Sequence, residues 1–198
     1  TSSTITVNVI VENVNDPPVI LLGNSVSVVM SEDGSPTAWS YSSLTAVDAD
    51  LTDVLTWGVT VMPLQGNLDL NSTNSPSVGL VYSPKSNWSG NDSFEMQVSD
   101  ETTTDSISFN VSVVPINDSP SINQGASISV TMSEDGLPKA WNPPVLSATD
   151  IEGADLVWTL FDEPSHGTAF VQGTGSSPTT FKYSPENNFF GLDNFKIQ

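Results

Sequence analysis

One long internal repeat constrains the fold of this 198-residue chain more than any other feature. The motif Asn-Asp-Pro-Pro at 15–18 returns as Asn-Asp-Ser-Pro at 117–120, and Ser-Glu-Asp-Gly at 31–34 returns at 133–136, an offset of 102 residues. After a one-residue deletion near Asp53 the offset becomes 101. A period this long corresponds to a whole small domain, because solenoid repeats are only about 20–50 residues long. The sequence therefore predicts related domains in tandem.

Short apolar segments within each repeat predict an all-β fold. Residues 5–11, 107–113 and 128–132 alternate apolar with polar side chains, as half-buried strands do. Shorter apolar strands are expected at 55–57, 80–82, 156–158 and 181–183. Clusters of Gly, Pro, Asn and Ser separate these segments, and no segment keeps the 3.6-residue period of a helix for long. The pattern predicts tandem Ig-like Greek-key β-sandwiches arranged end to end.

The two Asn-Asp linkers indicate where the domains begin, because the prolines that follow cannot donate hydrogen bonds to a strand ladder. Residues 1–14 match 103–116 in the repeat, so we expect them to be the last strand of a preceding repeat. Residues 15–117 form a complete repeat, and residues 118–198 form a second repeat that is truncated at its C-terminal end.

The charge of the chain restricts its partners. The formal net charge is −19, from 23 acidic residues against four lysines and no arginine. Nucleic acid is excluded as a partner, because phosphate contacts require Lys and Arg. A compact chain this acidic repels itself unless cations screen or bind it. No apolar run approaches the roughly 18 residues of a membrane span, and without cysteine any stability beyond that of the core must come from metal.

Several recurring motifs resemble a known family. Tyr-Ser-Pro, followed after five residues by Gly-x-Asp-x-Phe, occurs at 82–94 and again at 183–195. These motifs, with Pro-Ser-His-Gly-Thr at 164–168 and Val-Ser-Asp at 98–100, resemble the cadherin-like tandem repeats of large bacterial surface and secreted proteins, many of them adhesins. The resemblance implies an extracellular or cell-surface location and contacts with neighbouring repeats of the same protein.

The same resemblance implies calcium. Cadherin repeats bind Ca²⁺ at their junctions, and the ion takes six to eight oxygen ligands. Carried over by position, the pattern implies about one ion at each intact junction. The candidate ligands at the first junction are Asp16, Asp48, Asp50 and Asp100. At the second junction the candidates are Glu32, Asn117, Asp118, Asp150 and Glu152.

A simpler interpretation of these acids stays open. Asp and Asn are favoured in turns without any metal, because their side chains hydrogen-bond to nearby backbone N–H groups. The Leu-Asp-Arg-Glu segment of cadherins is also absent, and its region at 82–87 contains no acid.

No catalytic pattern stands out. The Gly-x-Ser-x-Gly, His-Glu-x-x-His and Gly-rich phosphate-binding motifs are all absent, and the one histidine, His166, has no visible catalytic partner. We therefore predict a protein that is not an enzyme, a calcium-stiffened structural or adhesive spacer of a large extracellular protein.

Two other functions are compatible with the sequence. A carbohydrate-binding module would recognise polysaccharide through exposed aromatic side chains. The aromatic residues, however, recur between the repeats, which favours core positions: Trp39 with Trp141, Trp57 with Trp158, and Trp88 with Phe189.

The second alternative is a filament-forming subunit. The segment 4–13 is an orphan strand, and the second repeat lacks its last two strands, which would leave Trp158 and Phe181 incompletely covered. Such ends are complementary, so copies of the chain could join head to tail by strand exchange.

Overall fold

The computed structural model describes residues 2–198, and every regular element in that range is a β-strand. The chain divides into two compact units, Thr1–Ile116 and Asn117–Gln198, which are described separately below.

Unit 1 is a β-sandwich of eight strands within residues 2–116. They are β1 (Val19–Ile20), β2 (Ser25–Ser31), β3 (Ser43–Val47), β4 (Thr56–Val61), β5 (Gly66–Asn71), β6 (Ser77–Pro84), β7 (Gly90–Ser99) and β8 (Thr104–Val114). One sheet has the order β1-β3-β6-β5 and the other the order β2-β8-β7-β4. The β2–β8 pair is parallel, and the other strand pairs of unit 1 are antiparallel.

The alternation of β8 contributes four side chains to the core of unit 1. Ile107, Phe109, Val111 and Val113 are buried, whereas the residues between them point away from the core. Phe109 stacks on Phe94 of β7 with ring centroids 4.7 Å apart. Full burial of such side chains stabilises the fold by roughly 1.5–3 kcal/mol each, so the β7–β8 pair is the centre of the unit.

Unit 2 contains seven shorter strands within residues 117–198. They are β9 (Ser121–Ile122), β10 (Ala148–Thr149), β11 (Val157–Trp158), β12 (Leu160–Asp162), β13 (Gly167–Thr174), β14 (Thr180–Pro185) and β15 (Lys196–Ile197). Their sheets are β10-β9, β11-β13-β14 and β12-β15. The core is small, formed by Leu146, Ala148, Trp158 and Val171.

The strands predicted at 107–113, 80–82 and 181–183 are confirmed, and those at 55–57 and 156–158 begin one residue later than predicted. The predictions at 5–11 and 128–132 are wrong, because neither segment is a strand and both are unpaired. An alternating pattern forms a strand only where a partner satisfies its backbone hydrogen bonds.

A comparison with unit 1 explains why residues 128–132 form no strand. There the equivalent of 128–132 is β2, which pairs with β8, and residues 2–198 contain no strand at the corresponding position in unit 2. Trp158 is nevertheless buried, contrary to the expectation of incomplete cover, whereas Phe181 is partly exposed as expected.

Candidate metal centre

Two turns of unit 1 bring three carboxylates together. Asp48 and Asp53 belong to the turn between β3 and β4, and Asp100 begins the turn between β7 and β8. One carboxylate oxygen of each residue lies within 4.8 Å of the corresponding oxygens of the other two. We call these three residues the acidic cluster.

Local hydrogen bonds shape the first turn. The backbone N–H of Asp50 donates to Asp48 Oδ1 over 2.8 Å, and the N–H of Asp53 donates to the Asp50 carbonyl over 2.9 Å. An Asp side chain that accepts a bond from the backbone two residues later is a typical turn former. These two bonds close residues 48–53 into a tight turn, which carries both Asp48 and Asp53.

Asp100 is held by its own hairpin. Its Oδ1 accepts from the backbone N–H groups of Thr102 and Thr103 at 2.7 and 2.6 Å, and its Oδ2 accepts from Thr103 Oγ1 at 2.6 Å. The side-chain and backbone hydrogen bonds from Thr103 lower the pKa of Asp100 well below its usual range, although burial acts in the opposite direction. The carboxylate is therefore ionised at neutral pH.

The linker segment 13–16 is tied to both turns. The backbone N–H of Asp16 donates to Asp50 Oδ2 over 2.7 Å, and Asn13 Nδ2 donates to Asp50 Oδ1 over 2.6 Å. These two bonds lower the pKa of Asp50. Asn15 Nδ2 donates to Asp100 Oδ2 over 3.0 Å. The acids thus position the linker as well as the turns.

The pKa of Asp53 is shifted in the direction opposite to those of Asp50 and Asp100. Burial raises its pKa, and the negative charges of Asp50, Asp48 and Asp100 raise it further. The close contacts between basic and acidic side chains within residues 2–198, Lys196–Asp162 and His166–Glu186, both lie in unit 2. The negative charge of the cluster is therefore balanced by no ion pair in the described part of unit 1.

The geometry of the cluster fits a hard cation. Asp48 Oδ2 is buried and accepts no hydrogen bond from the residues that the structure describes. A buried polar atom without a partner costs about 1–3 kcal/mol. Calcium binds carboxylate oxygens at about 2.3–2.6 Å, so two of its ligands can be up to about 5 Å apart. The 4.8 Å spacing falls within that limit.

The sequence named Asp48 and Asp100 but missed Asp53, and the structure brings these three together. Asp16 and Asp50 are not members of the acidic cluster. The backbone N–H of Asp16 donates to the carboxylate of Asp50, which also accepts a bond from Asn13. The one available signal for Asp53 was its position in the same acidic turn, three residues after Asp50.

The ligands predicted for the second junction divide between the units. In unit 1, Glu32 is buried and its Oε1 accepts a bond from the Ile116 N–H over 2.6 Å. In unit 2, the Asp118 N–H donates to Glu152 Oε2 over 3.0 Å, and Asp150 Oδ1 accepts from the Glu152 N–H over 3.1 Å. Asn117 Nδ2 donates to the carbonyl of Asp118 over 2.8 Å.

One of these hydrogen bonds occurs at equivalent positions in both units. Asp118 N–H to Glu152 in unit 2 repeats Asp16 N–H to Asp50 in unit 1, 102 residues earlier. The carboxylates of Asp50 and Glu152 therefore accept the same linker hydrogen bond in the two repeats. A second group of three acids with converging oxygens is not present in residues 2–198.

Two of the recurring tryptophans, Trp57 and Trp158, are core residues. Trp57 and Trp158 are each 3% exposed, and each donates its indole N–H to a backbone carbonyl, of Ser75 and Gly175 respectively. Trp39 and Trp88 pack against the core of unit 1. These side chains do not form the exposed aromatic face that a polysaccharide site would use.

The sequence model of one family, described as Bacterial Ig domain, matches residues 15–112 and 117–198. The chain belongs to this family. The match agrees with the all-β tandem sandwiches predicted from the sequence, and domains of this family are usually extracellular. Within residues 2–198 there is no helix that could cross a membrane.

Several solved structures resemble the chain. The cis-dimer structure of protocadherin gammaB7 has a TM-score of 0.42 and 14% identity, over 92% of this chain and 47% of that one. An endo-fucoidan hydrolase of glycoside hydrolase family 107 has a TM-score of 0.40 and 21% identity, over 91% and 26%. Human protocadherin-24 has a TM-score of 0.43 and 16% identity, over 93% and 98%. The chain thus spans less than half of the length of the first two proteins. A comparison with curated proteins found no match.

Proposed function

We propose that this chain is a calcium-stiffened repeat segment, a structural or adhesive spacer in a large extracellular or cell-surface protein. The observation that carries the proposal is the acidic cluster, in which three carboxylates converge and one of them, that of Asp48, has a buried oxygen without a hydrogen bond from the described residues. The cluster lies next to the linker segment 13–16, which its neighbours already hold.

The residues of the site explain how binding would stiffen the chain. Bound calcium would supply positive charge to the cluster. Asp53, whose pKa is raised by burial and by the surrounding charges, would then become a favourable anion. Asp100 and Asp50 hold Asn13, Asn15 and Asp16 through hydrogen bonds, so fixing the two turns also fixes the linker.

The family supports a role without catalysis, because bacterial Ig domains are typically non-enzymatic. Tandem repetition of domains lengthens the protein. The expected partners of each repeat are then the neighbouring repeats of the same protein. The burial of Trp57 and Trp158 counts against the polysaccharide-binding alternative.

Thermal unfolding tests binding. Ligand that binds only the folded state at 100 times its dissociation constant stabilises it by about 2.7 kcal/mol. For a domain of this size that corresponds to about 10 °C or more in Tm. We expect Tm to be higher in millimolar calcium than in EDTA. Soluble polysaccharides should leave Tm unchanged. Equal Tm values in calcium and EDTA would contradict the proposal, and a rise with polysaccharide alone would favour the alternative.

Hydrogen–deuterium exchange tests stiffening separately from binding. The exchange of the amides in 13–16 and in 100–104 should slow in calcium. The control region is β5, which contains none of the candidate ligands. Slower exchange confined to β5, or no change at 13–16, would show that calcium binds without stiffening the linker.

A further inference from the structure

The outer faces of two equivalent hairpins differ in their central residues. In unit 1, β5 and β6 form a hairpin in which Asp69 is the register partner of Val81. In unit 2, β13 and β14 form the equivalent hairpin 101 residues later, and Phe170 is the register partner of Lys182. The first hairpin therefore presents an acid beside an aliphatic side chain, and the second presents an aromatic ring beside a cation.

These four side chains point away from the core of their own unit. Val81 and Phe170 are 50% and 51% exposed, whereas the residues that flank them in their strands are buried or partly buried. Asp69 and Lys182 are also exposed, and neither has an ion-pair partner within residues 2–198. Both charges and both apolar groups are therefore free to meet a partner.

Both hairpins are poor in acidic residues. The chain has 23 acidic residues, but residues 164–185 contain none and residues 63–84 contain Asp69 alone. A chain with a net charge of −19 repels other copies of itself, so a contact between copies requires faces with little negative charge. The two hairpin faces meet this requirement, because Asp69 and Lys182 together have no net charge.

We propose that the outer face of hairpin β5–β6 in one copy of the chain packs against the outer face of hairpin β13–β14 in a second copy. Sheets commonly pack face to face with their strands nearly aligned. When the two hairpins are related by a two-fold rotation about the strand direction, β13 lies over β6 and β14 lies over β5. Lys182 then lies opposite Asp69, and Phe170 lies opposite Val81.

The positions around this centre are complementary as well. In the same arrangement Gln172 lies over Gly79, and Thr168 lies over Ser83. Gly79 leaves room for the longer glutamine, and its N–H donates to Asn71 Oδ1 over 2.8 Å, which holds the Asn71 side chain against the sheet. These surrounding side chains are uncharged, so the contact buries no unpaired charge.

The partner is a second copy of this chain, because each copy carries one face of each kind. The two faces are different surfaces, so the contact is heterologous. Neither face contains a member of the acidic cluster, and association is therefore a property separate from calcium binding.

Exchange of the two charges tests the contact. In EDTA and about 0.15 M salt, where exposed charges more than roughly 8 Å apart are screened, light scattering should show the native mass rising with concentration above 21.0 kDa. Lys182→Asp should weaken association by about tenfold or more, because it places two negative charges opposite each other. The double variant Asp69→Lys with Lys182→Asp should restore association, because it exchanges the charges of the pair.

Lys139→Asp is the matched control, since it makes the same change of net charge at an exposed lysine outside both hairpins, and it should associate nearly as the native chain does. Equal effects of Lys139→Asp and Lys182→Asp, or a double variant as weak as Lys182→Asp, would overturn the proposal. A native mass of 21.0 kDa at every concentration would also overturn it, and would leave the faces to a partner other than this chain.

Disulfide trapping tests which side chains meet, since the chain has no cysteine of its own. Ser83→Cys and Thr168→Cys are prepared as separate variants and mixed under mild oxidation, which should give far more covalent dimer than either variant alone. The control mixture uses Ser27→Cys with Thr168→Cys, because Ser27 is an exposed serine on β2 of the opposite sheet. Equal yields in the two mixtures, or no dimer in the first, would contradict the proposed arrangement.

Discussion

The hydroxyl of Tyr82 donates a hydrogen bond of 2.9 Å to Asp92 Oδ2, and the same bond of 2.9 Å joins Tyr183 to Asp193, 101 residues later. The bond and burial have a clear effect on titration. Burial raises the pKa of Tyr183 to about 12, with a smaller contribution from the hydrogen bond to Asp193. These pairs explain why Tyr and Asp recur at the same positions of the repeat.

Asp92 also fixes a loop. Its carboxylate accepts the backbone N–H groups of Leu64 and Gln65 at 3.0 and 2.8 Å. Burial raises the pKa of Asp92, but the hydrogen bonds from Gln65, Leu64 and Tyr82 outweigh it and the pKa is lowered. A charged acceptor therefore anchors the start of β5 to β7.

Tyr82→Phe should destabilise unit 1 by about 1.5–3 kcal/mol, because it removes a buried hydrogen bond to a charged group. Urea denaturation measures the loss. Tyr41→Phe is the matched control, since the Tyr41 ring packs against the core but its hydroxyl has no hydrogen bond to the described residues. Equal losses in the two variants would show that the Asp92 bond contributes nothing.

Gly66→Ala should destabilise unit 1 by about 1–3 kcal/mol, the usual cost of overpacking. A Cβ at Gly66 would lie 2.5 Å from Tyr82 Cε2 and 2.7 Å from the Ser83 carbonyl oxygen. The control is Gly58→Ala in β4, where a Cβ would meet no atom within 4 Å. Thermal unfolding of both variants tests the prediction, and a stable Gly66→Ala variant would contradict it.

Acid should unfold unit 1 by protonating its hydrogen-bonded carboxylates. The pKa of Asp100, Asp50 and Asp92 is lowered in the folded chain. Their stabilising effect is therefore complete above the ordinary Asp pKa of about 3.9 and is lost as the pH falls through the lower folded values. Asp100→Asn should flatten the dependence of stability on pH below about 4. The measurement is made in EDTA, and a native slope in Asp100→Asn would contradict the prediction.

Asp53→Asn should raise stability without calcium and reduce the stabilisation that calcium brings. Its raised folded pKa means that stability is lost as the pH rises from the ordinary Asp value through the folded one, so the charge is destabilising at neutral pH. In EDTA the variant should melt at a higher temperature than the native chain. In calcium it should gain less than the native chain gains. A variant that melts lower in EDTA and keeps the full calcium gain would contradict the role of Asp53.

Most of the fold of unit 1 could be predicted, because the alternation of apolar and polar residues in the sequence matches the alternation of buried and exposed residues in the strands. The pattern at 107–113 became β8, yet the same pattern at 5–11 stays unpaired. A single sequence specifies which face of a strand is apolar, but pairing depends on which partner strand is present. The loss of regular structure at 128–132 has the same cause.

The candidate site could be predicted only in part. The turn motif indicated Asp48, and the end of β7 indicated Asp100. Asp53 was missed because its proximity to Asp100 depends on how two turns, 47 residues apart in sequence, meet in the sandwich. Conversely, Asp50 and Glu152 have a local explanation in their bonds to the linker amides of Asp16 and Asp118.

Isothermal titration of the chelator-treated chain with calcium tests the central claim most directly. Binding should saturate at one ion per chain, because residues 2–198 contain a single cluster of three acids. Asp48→Asn should abolish most of the binding heat, and Asp69→Asn, a matched change at an exposed acid outside the cluster, should leave it unchanged. No binding by the native chain, or equal binding by Asp48→Asn, would contradict a calcium site formed by Asp48, Asp53 and Asp100.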